Sequence, residues 1–210
     1  RRSFSSAREG EVFRLITPKI GYADLARLTR DQVDAMFEMF KTTAGIILDM
    51  RGYPRGPGAN GAVASHITTL PSRRAGETRV PLISAEPLFF GTPELFLERD
   101  SWPAGSGPQY PGKVVMLIDE RAISAAETTV IWYREVNGTV LIGSPTAGTN
   151  GYTTRFYAPG GTIVPFSGNA WPHQRVGIIP DIEVHPTIAG IRAGRDEVLE
   201  RAITYLEQGR

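Results

Sequence analysis

Three short, mainly apolar runs constrain this chain more than any other feature: Ile46-Ile47-Leu48-Asp49-Met50, Val114-Val115-Met116-Leu117-Ile118 and Val140-Leu141-Ile142-Gly143. They do not alternate apolar with polar positions, so a strand formed by any of them must be covered on both faces. Segments with helical periodicity surround them. Thr29 and Gln32 fit a capping box, and Val33, Met36, Phe37 and Phe40 then fall on one stripe of a helix. A second helix is predicted from about Ser124 to Glu135, ending at Asn137-Gly138. A last one is predicted from about 194 to 207, with Val198, Leu199, Ala202, Ile203 and Leu206 on one face. Strand, helix, strand, helix, strand with short connections predicts an α/β fold of βαβ units with a mainly parallel sheet. Val12–Leu15 and Ile20–Ala23 read as strands around Thr17-Pro18. Stretches 152–158 and 162–167 read as an antiparallel hairpin added to that core around Pro159-Gly160-Gly161. Residues 57–111 are rich in Pro, Gly and Ser and read as surface loops, with one helix near 61–70 and one strand at 80–84.

Composition narrows the function by exclusion. A formal net charge of +1 offers no electrostatic reason to expect nucleic acid. No apolar run approaches the roughly 20 residues of a membrane span. The chain has no cysteine, which removes disulfides, thiol catalysis and zinc–thiolate sites and leaves the compartment open. Its three histidines stand far apart, without the paired spacing of metal ligands, so neither metal nor cofactor is expected. The 210 residues are enough for one domain with a core. Because they open on Arg-Arg-Ser, with neither an initiator Met nor a visible signal peptide, they read as part of a longer chain.

Two turns can carry chemistry. Ser124 stands between a buried strand and a helix, where backbone N–H groups are unpaired and the positive end of the helix dipole lies. An oxyanion formed beside it would meet the N–H of Ala125. By position alone, Ser124 reads first as an ordinary N-cap. The turn at Gly52-Tyr53-Pro54-Arg55-Gly56 leaves another buried strand, and the N–H of Arg55 or Gly56 could be a second oxyanion donor. Alone, it reads as a plain strand-to-helix turn.

Taken together, four segments resemble the tail-specific, or C-terminal processing, serine peptidases. Ile46 to Gly56 resembles their hydrophobic strand followed by Asp-Leu-Arg-Asn-Asn-Pro-Gly-Gly. Ser124-Ala125-Ala126-Glu127 resembles their nucleophile motif, Gly143 to Gly151 their next loop, and Gly177 to Val184 their closing strand. The order agrees from about residue 20 to 206. The resemblance implies a fold like that of the Clp protease and crotonase superfamily and a polypeptide substrate held at an unstructured C-terminus. Thr149 and Asn150 would then touch substrate. Residues 1–210 would form one catalytic core without a PDZ-like segment, compatible with an oligomer, and the protein would be exported or periplasmic.

The departures from that pattern matter as much. Many members place a general-base lysine where this chain has Thr149, and no lysine occurs anywhere in 114–210. A Ser–Lys dyad is therefore excluded there. The chain looks more like the tricorn-core branch, in which a histidine from an N-terminal segment acts as base with an assisting glutamate. Glu183 falls near that glutamate's place. Arg55 occupies a position that is usually glycine. Among the chain's own histidines, His66 is the first choice as base, ahead of His173 and His185. Glu127 reads as support for its helix start and Asp181 as a turn former. Two other functions fit a similar core: a crotonase-like acyl-CoA enzyme, which would need basic groups for phosphates and would not need Ser124, and a peptide-binding core without activity.

Overall fold

A computed structural model describes residues 8–56, 58–70, 77–81, 95–99, 105, 108–150, 153–167 and 173–209. The chain opens with β1 (Phe13–Thr17) and β2 (Ile20–Asp24), an antiparallel pair. A single 3-10 turn, Arg30–Gln32, leads into α1 (Val33–Phe40). The Thr29 N–H donates to Gln32 Oε1 at 3.1 Å, in the capping box expected of these two residues. Then follow β3 (Gly45–Asp49) and α2 (Ala59–Ile67). Next come β4 (Glu77–Pro81), β5 (Leu95–Arg99) and β6 (Lys113–Ile118). The second half runs α3 (Ala125–Asn137), β7 (Val140–Gly143), β8 (Thr153–Ala158), β9 (Thr162–Ser167), β10 (Ile182–Glu183), α4 (Ile188–Arg192) and α5 (Glu197–Gln208).

The main sheet has the order β1-β2-β3-β6-β7-β10, parallel from β2 onward. The three apolar runs are its centre, as their composition requires. Alternation along them splits the core in two. Ile46, Leu48, Met116 and Ile118 join α1, α2 and α3 on one face; Ile47, Val115, Leu117 and Ile142 meet Val198 and Ala202 of α5 on the other. Each such side chain removed from water contributes about 1.5–3 kcal/mol. The hairpin β8–β9 is separate and antiparallel, as expected. Within 57–111 the expected strand at 80–84 overlaps β4 (77–81) at its first two residues, 82–84 lying outside the described residues, and the partner strand β5 lies where only loops were expected. The predicted last helix starts later, at Glu197, because Asp196 caps it by accepting from the Leu199 N–H; α4 precedes it. The strand expected over 177–184 pairs only at Ile182 and Glu183.

Buried charges lock the carboxyl end of this sheet. The Arg51 guanidinium spans Asp49 and Asp196, with contacts of 2.7 and 2.6 Å. Arg8 and Arg27 hold Asp24 at 2.6 and 2.8 Å. Burial alone would push the Asp24 and Asp196 carboxyls up, but hydrogen bonds from Arg8 and Arg27 to Asp24, and from Arg51 to Asp196, hold both below their ordinary values. Groups with a depressed folded pKa contribute stability that is complete above the unfolded value, about 3.9 for Asp, and is lost as pH falls through the folded value. Thermal melts should therefore be flat in this contribution from neutrality down to about pH 4 and should fall below it. An Asp24→Asn variant should lose part of that acid dependence; an unchanged profile would contradict it.

Candidate active site

Parallel strands bring their carboxyl ends to one edge, and ligand sites of open α/β sheets gather there. Asp49 pairs with Leu117, Ile118 with Gly143, and Gly143 with Glu183, so the segments that follow β3, β6 and β7 leave the same edge. Those segments are the 50–56 turn, the 119–124 turn and the 144–150 loop.

Ser124 has φ 51° and ψ −113°. Only it and Arg175 are non-glycine residues with positive φ among the described residues. Such backbone costs on the order of 1–3 kcal/mol and persists where the surroundings impose it. A strained strand-to-helix turn is one way to present a serine hydroxyl at the edge of a sheet. The N–H of Ala125, the first residue of α3, has no acceptor among the described residues. It is free to meet an oxyanion.

The 50–56 turn leaves β3 at the same sheet edge from which the elbow leaves β6. The Asn60 side chain, in the first turn of α2, donates to Thr129 Oγ1 of α3 at 2.8 Å, and Tyr133 OH donates to the Asn60 carbonyl at 2.7 Å. The start of α2 thus packs against the second and third turns of α3, and the two helices follow neighbouring strands. Of the two candidate donors in the turn, Arg55 is corrected: its N–H donates to the Ala26 carbonyl at 3.2 Å and is not available. The Gly56 N–H has no acceptor among the described residues. Gly56 has to be glycine, because a Cβ there would lie 2.3 Å from the Leu28 carbonyl oxygen.

The histidines fall elsewhere. His66 sits at the far end of α2, where the Ile67 carbonyl accepts from Asn137, the last residue of α3. That is twelve residues, or roughly 18 Å, along α3 from its start. His66 Nε2 pairs with Asp34 at 3.0 Å and its ring stacks on Phe37 at 4.3 Å, so the geometry does not bring it to Ser124. His185 pairs with Glu183 at 2.8 Å on the exposed edge strand. His173 opens a turn whose Arg175 N–H donates to the Gly148 carbonyl at 2.7 Å. The side chains of His66 and His185 are thus engaged with Asp34 and Glu183.

The sequence reading of Glu127 misses most of its role. Its side chain is fully buried and accepts four hydrogen bonds. Oε2 takes the N–H groups of Ser124 (3.2 Å) and Thr149 (2.9 Å); Oε1 takes Thr146 Oγ1 (2.6 Å) and the Gly148 N–H (2.8 Å). One carboxylate thereby ties the serine turn to the loop after β7. The signal available in the sequence is an acidic residue three positions after a candidate nucleophile, which also fits a capping box. The predicted substrate contacts divide. Thr149 is exposed, whereas Asn150 is buried and its Oδ1 accepts from Thr128 at 3.2 Å. Asp181 is more than a turn former: it accepts from Arg134 and from the Leu141 N–H, which pins the last strand to β7 and α3. Among the described residues there is no cluster of His, Asp or Glu that could hold a metal, and no helix is long and apolar enough to cross a membrane.

Known proteins share this fold. The model of Peptidase family S41 matches residues 19–189. A candidate peptidase from Parabacteroides merdae has the same fold with a TM-score of 0.74 and 22% identity, covering 97% of this chain and 67% of its own. Mature CPAF in complex with lactacystin gives 0.69 and 15%, covering 91% and 52%. The photosystem II D1 C-terminal processing protease gives 0.53 and 19%, covering 80% and 43%. The chain thus spans between about two fifths and two thirds of these relatives' lengths. No curated protein matches it by sequence. At such identities the structures speak for the fold; the family match, over most of the chain and both turns, decides the rest, and the chain belongs to peptidase family S41, the serine-type peptidases that its motifs resemble.

Proposed function

We propose that this chain is the catalytic core of a serine endopeptidase that processes the C-terminal ends of unstructured polypeptides through an acyl-enzyme on Ser124. The observation that carries the reading is the strained backbone of Ser124 at the start of α3, next to the unpaired Ala125 N–H. In this mechanism Ser124 Oγ attacks the scissile carbonyl carbon and gives its proton to a base. The oxyanion is held by the N–H groups of Ala125 and Gly56. Collapse expels the amine, which takes the proton from the base, and water then repeats the attack on the ester. The crotonase-like reading falls away with the family assignment.

The base is the open part of the site. We assign it to a histidine in a further segment of the protein, assisted by Glu183, in the manner of the tricorn-core branch. The lack of a lysine in the 146–151 loop and the placement of His66 support this over a dyad within the chain. The same lack favours one other reading, a peptide-binding core without chemistry. A fluorophosphonate probe separates the two. A peptidase is labelled at Ser124, with a pH dependence set by a group titrating near neutrality. A binding core is not labelled at any pH. A histidine scan read by labelling then tests the base, and loss of labelling on replacing His173 would place it within this chain.

A further inference from the structure

Beside the 52–56 turn lies a cavity of about 60 Å³ whose lining includes Arg8, Asp24, Arg27, Arg51, Tyr53 and Arg55. It holds a few water-sized groups. Its charges are not evenly matched. Arg8 is bound to Asp24 and Asp49, Arg27 to Asp24, and Arg51 to Asp49 and Asp196, so three guanidinium groups face three carboxylates. Arg55 is a fourth cation. Its side chain is exposed and has no partner among the described residues, while its backbone is fixed by the bond from its N–H to Ala26. The residue after it is Gly56, the candidate oxyanion donor.

We propose that this cavity, with the unpaired Arg55 in its lining, is a subsite for a carboxylate of the polypeptide substrate. The proposal rests on the reading of Ser124 and Gly56 as the reacting centre. A guanidinium presents paired N–H donors to a carboxylate, which suits it to this anion better than a point charge. The neutralised network behind it forms a wall whose hydrogen bonds are already made, so the unmatched charge of Arg55 is what a substrate meets. Two sources can supply the carboxylate: the free α-carboxylate at a chain end, or an Asp or Glu side chain near the scissile bond.

The test measures binding by fluorescence anisotropy in the Ser124→Ala protein, so that peptides survive. Three labelled peptides of one unstructured sequence are compared: one with a free C-terminal carboxylate, one with a C-terminal amide, and one with the amide and an internal Glu. At least one carboxylate peptide should bind about tenfold tighter than the neutral amide, as one charge-assisted hydrogen-bonded pair gives. The preference should shrink at high salt. Arg55→Gln should abolish it and leave the neutral peptide unaffected; Arg55→Lys should keep part of it. Which carboxylate peptide is favoured names the source. Equal binding of all three peptides, or an equal loss for all in Arg55→Gln, overturns the subsite. Probe labelling of Ser124 in the otherwise unaltered protein is scored separately. Labelling without carboxylate preference sinks the subsite alone, and preference without labelling sinks the nucleophile alone.

Discussion

Replacing Ser124 by Ala should remove hydrolysis of an unfolded reporter polypeptide, measured on the longest form of the protein that cleaves it, by on the order of 10⁶-fold in turnover. The loss should come with little change in melting temperature. Alanine at φ 51° keeps the strain of the turn, and the bond from the residue-124 N–H to Glu127 does not involve the side chain. Ser124→Gly makes a second, independent comparison. Glycine adopts positive φ without a Cβ penalty, so it should be as inactive as the alanine variant yet more stable by about 1 kcal/mol. An ordinary N-cap would behave in the opposite way: Ser→Ala would cost about 1 kcal/mol of stability and leave turnover alone. Retained turnover in Ser124→Ala would end the nucleophile assignment. Equal stability of the two variants would end the claim of strain.

The parts legible in the sequence are those set by short-range patterning. Uninterrupted apolar runs such as Val114–Ile118 can only be interior strands, and both their faces are indeed covered. The stripe Val33, Met36, Phe37, Phe40 is buried at helical spacing as read. Ser124 becomes a candidate nucleophile only when four motifs are taken together, because a serine before a helix is ordinary in isolation. The failures are matters of three-dimensional partnering. Arg55 and Gly56 are equivalent donors on paper, and only the approach of Ala26 removes one of them. His66 is near the oxyanion turn in sequence, but a helix of nine residues carries it away, toward Asp34. Asn150 looks like a loop residue open to substrate and is instead fastened to Thr128. Spacing along the chain cannot show which backbone groups are already engaged.

Glu127 was the least legible of all, and its removal should produce the largest structural effect. Its four partners come from three places: the serine turn, Thr146, and the consecutive N–H groups of Gly148 and Thr149. Thr146 is itself fixed by the Ile178 N–H, at 2.8 Å. Glu127→Ala leaves three backbone N–H groups without acceptors in a buried site. At about 1–3 kcal/mol for each unsatisfied group, the expected loss is roughly 3–9 kcal/mol, a large part of the stability of a domain. Glu127→Gln is the sharper variant, because it keeps size and shape. Its amide nitrogen can face the Oε2 position, where it meets two N–H donors, or the Oε1 position, where Thr146 Oγ1 can turn to accept but the Gly148 N–H cannot. The second arrangement is better and still orphans one donor, so the cost should be about 1–3 kcal/mol, with the fold kept. Probe labelling of Ser124 should fall in this variant by far more than the stability loss explains, since the turn is no longer held from both sides. Denaturant melts and labelling rates measured on the same preparation check both halves. A Glu127→Gln protein of unchanged stability and labelling would show that the hydroxyl and amide rearrange freely, and that Glu127 only starts its helix.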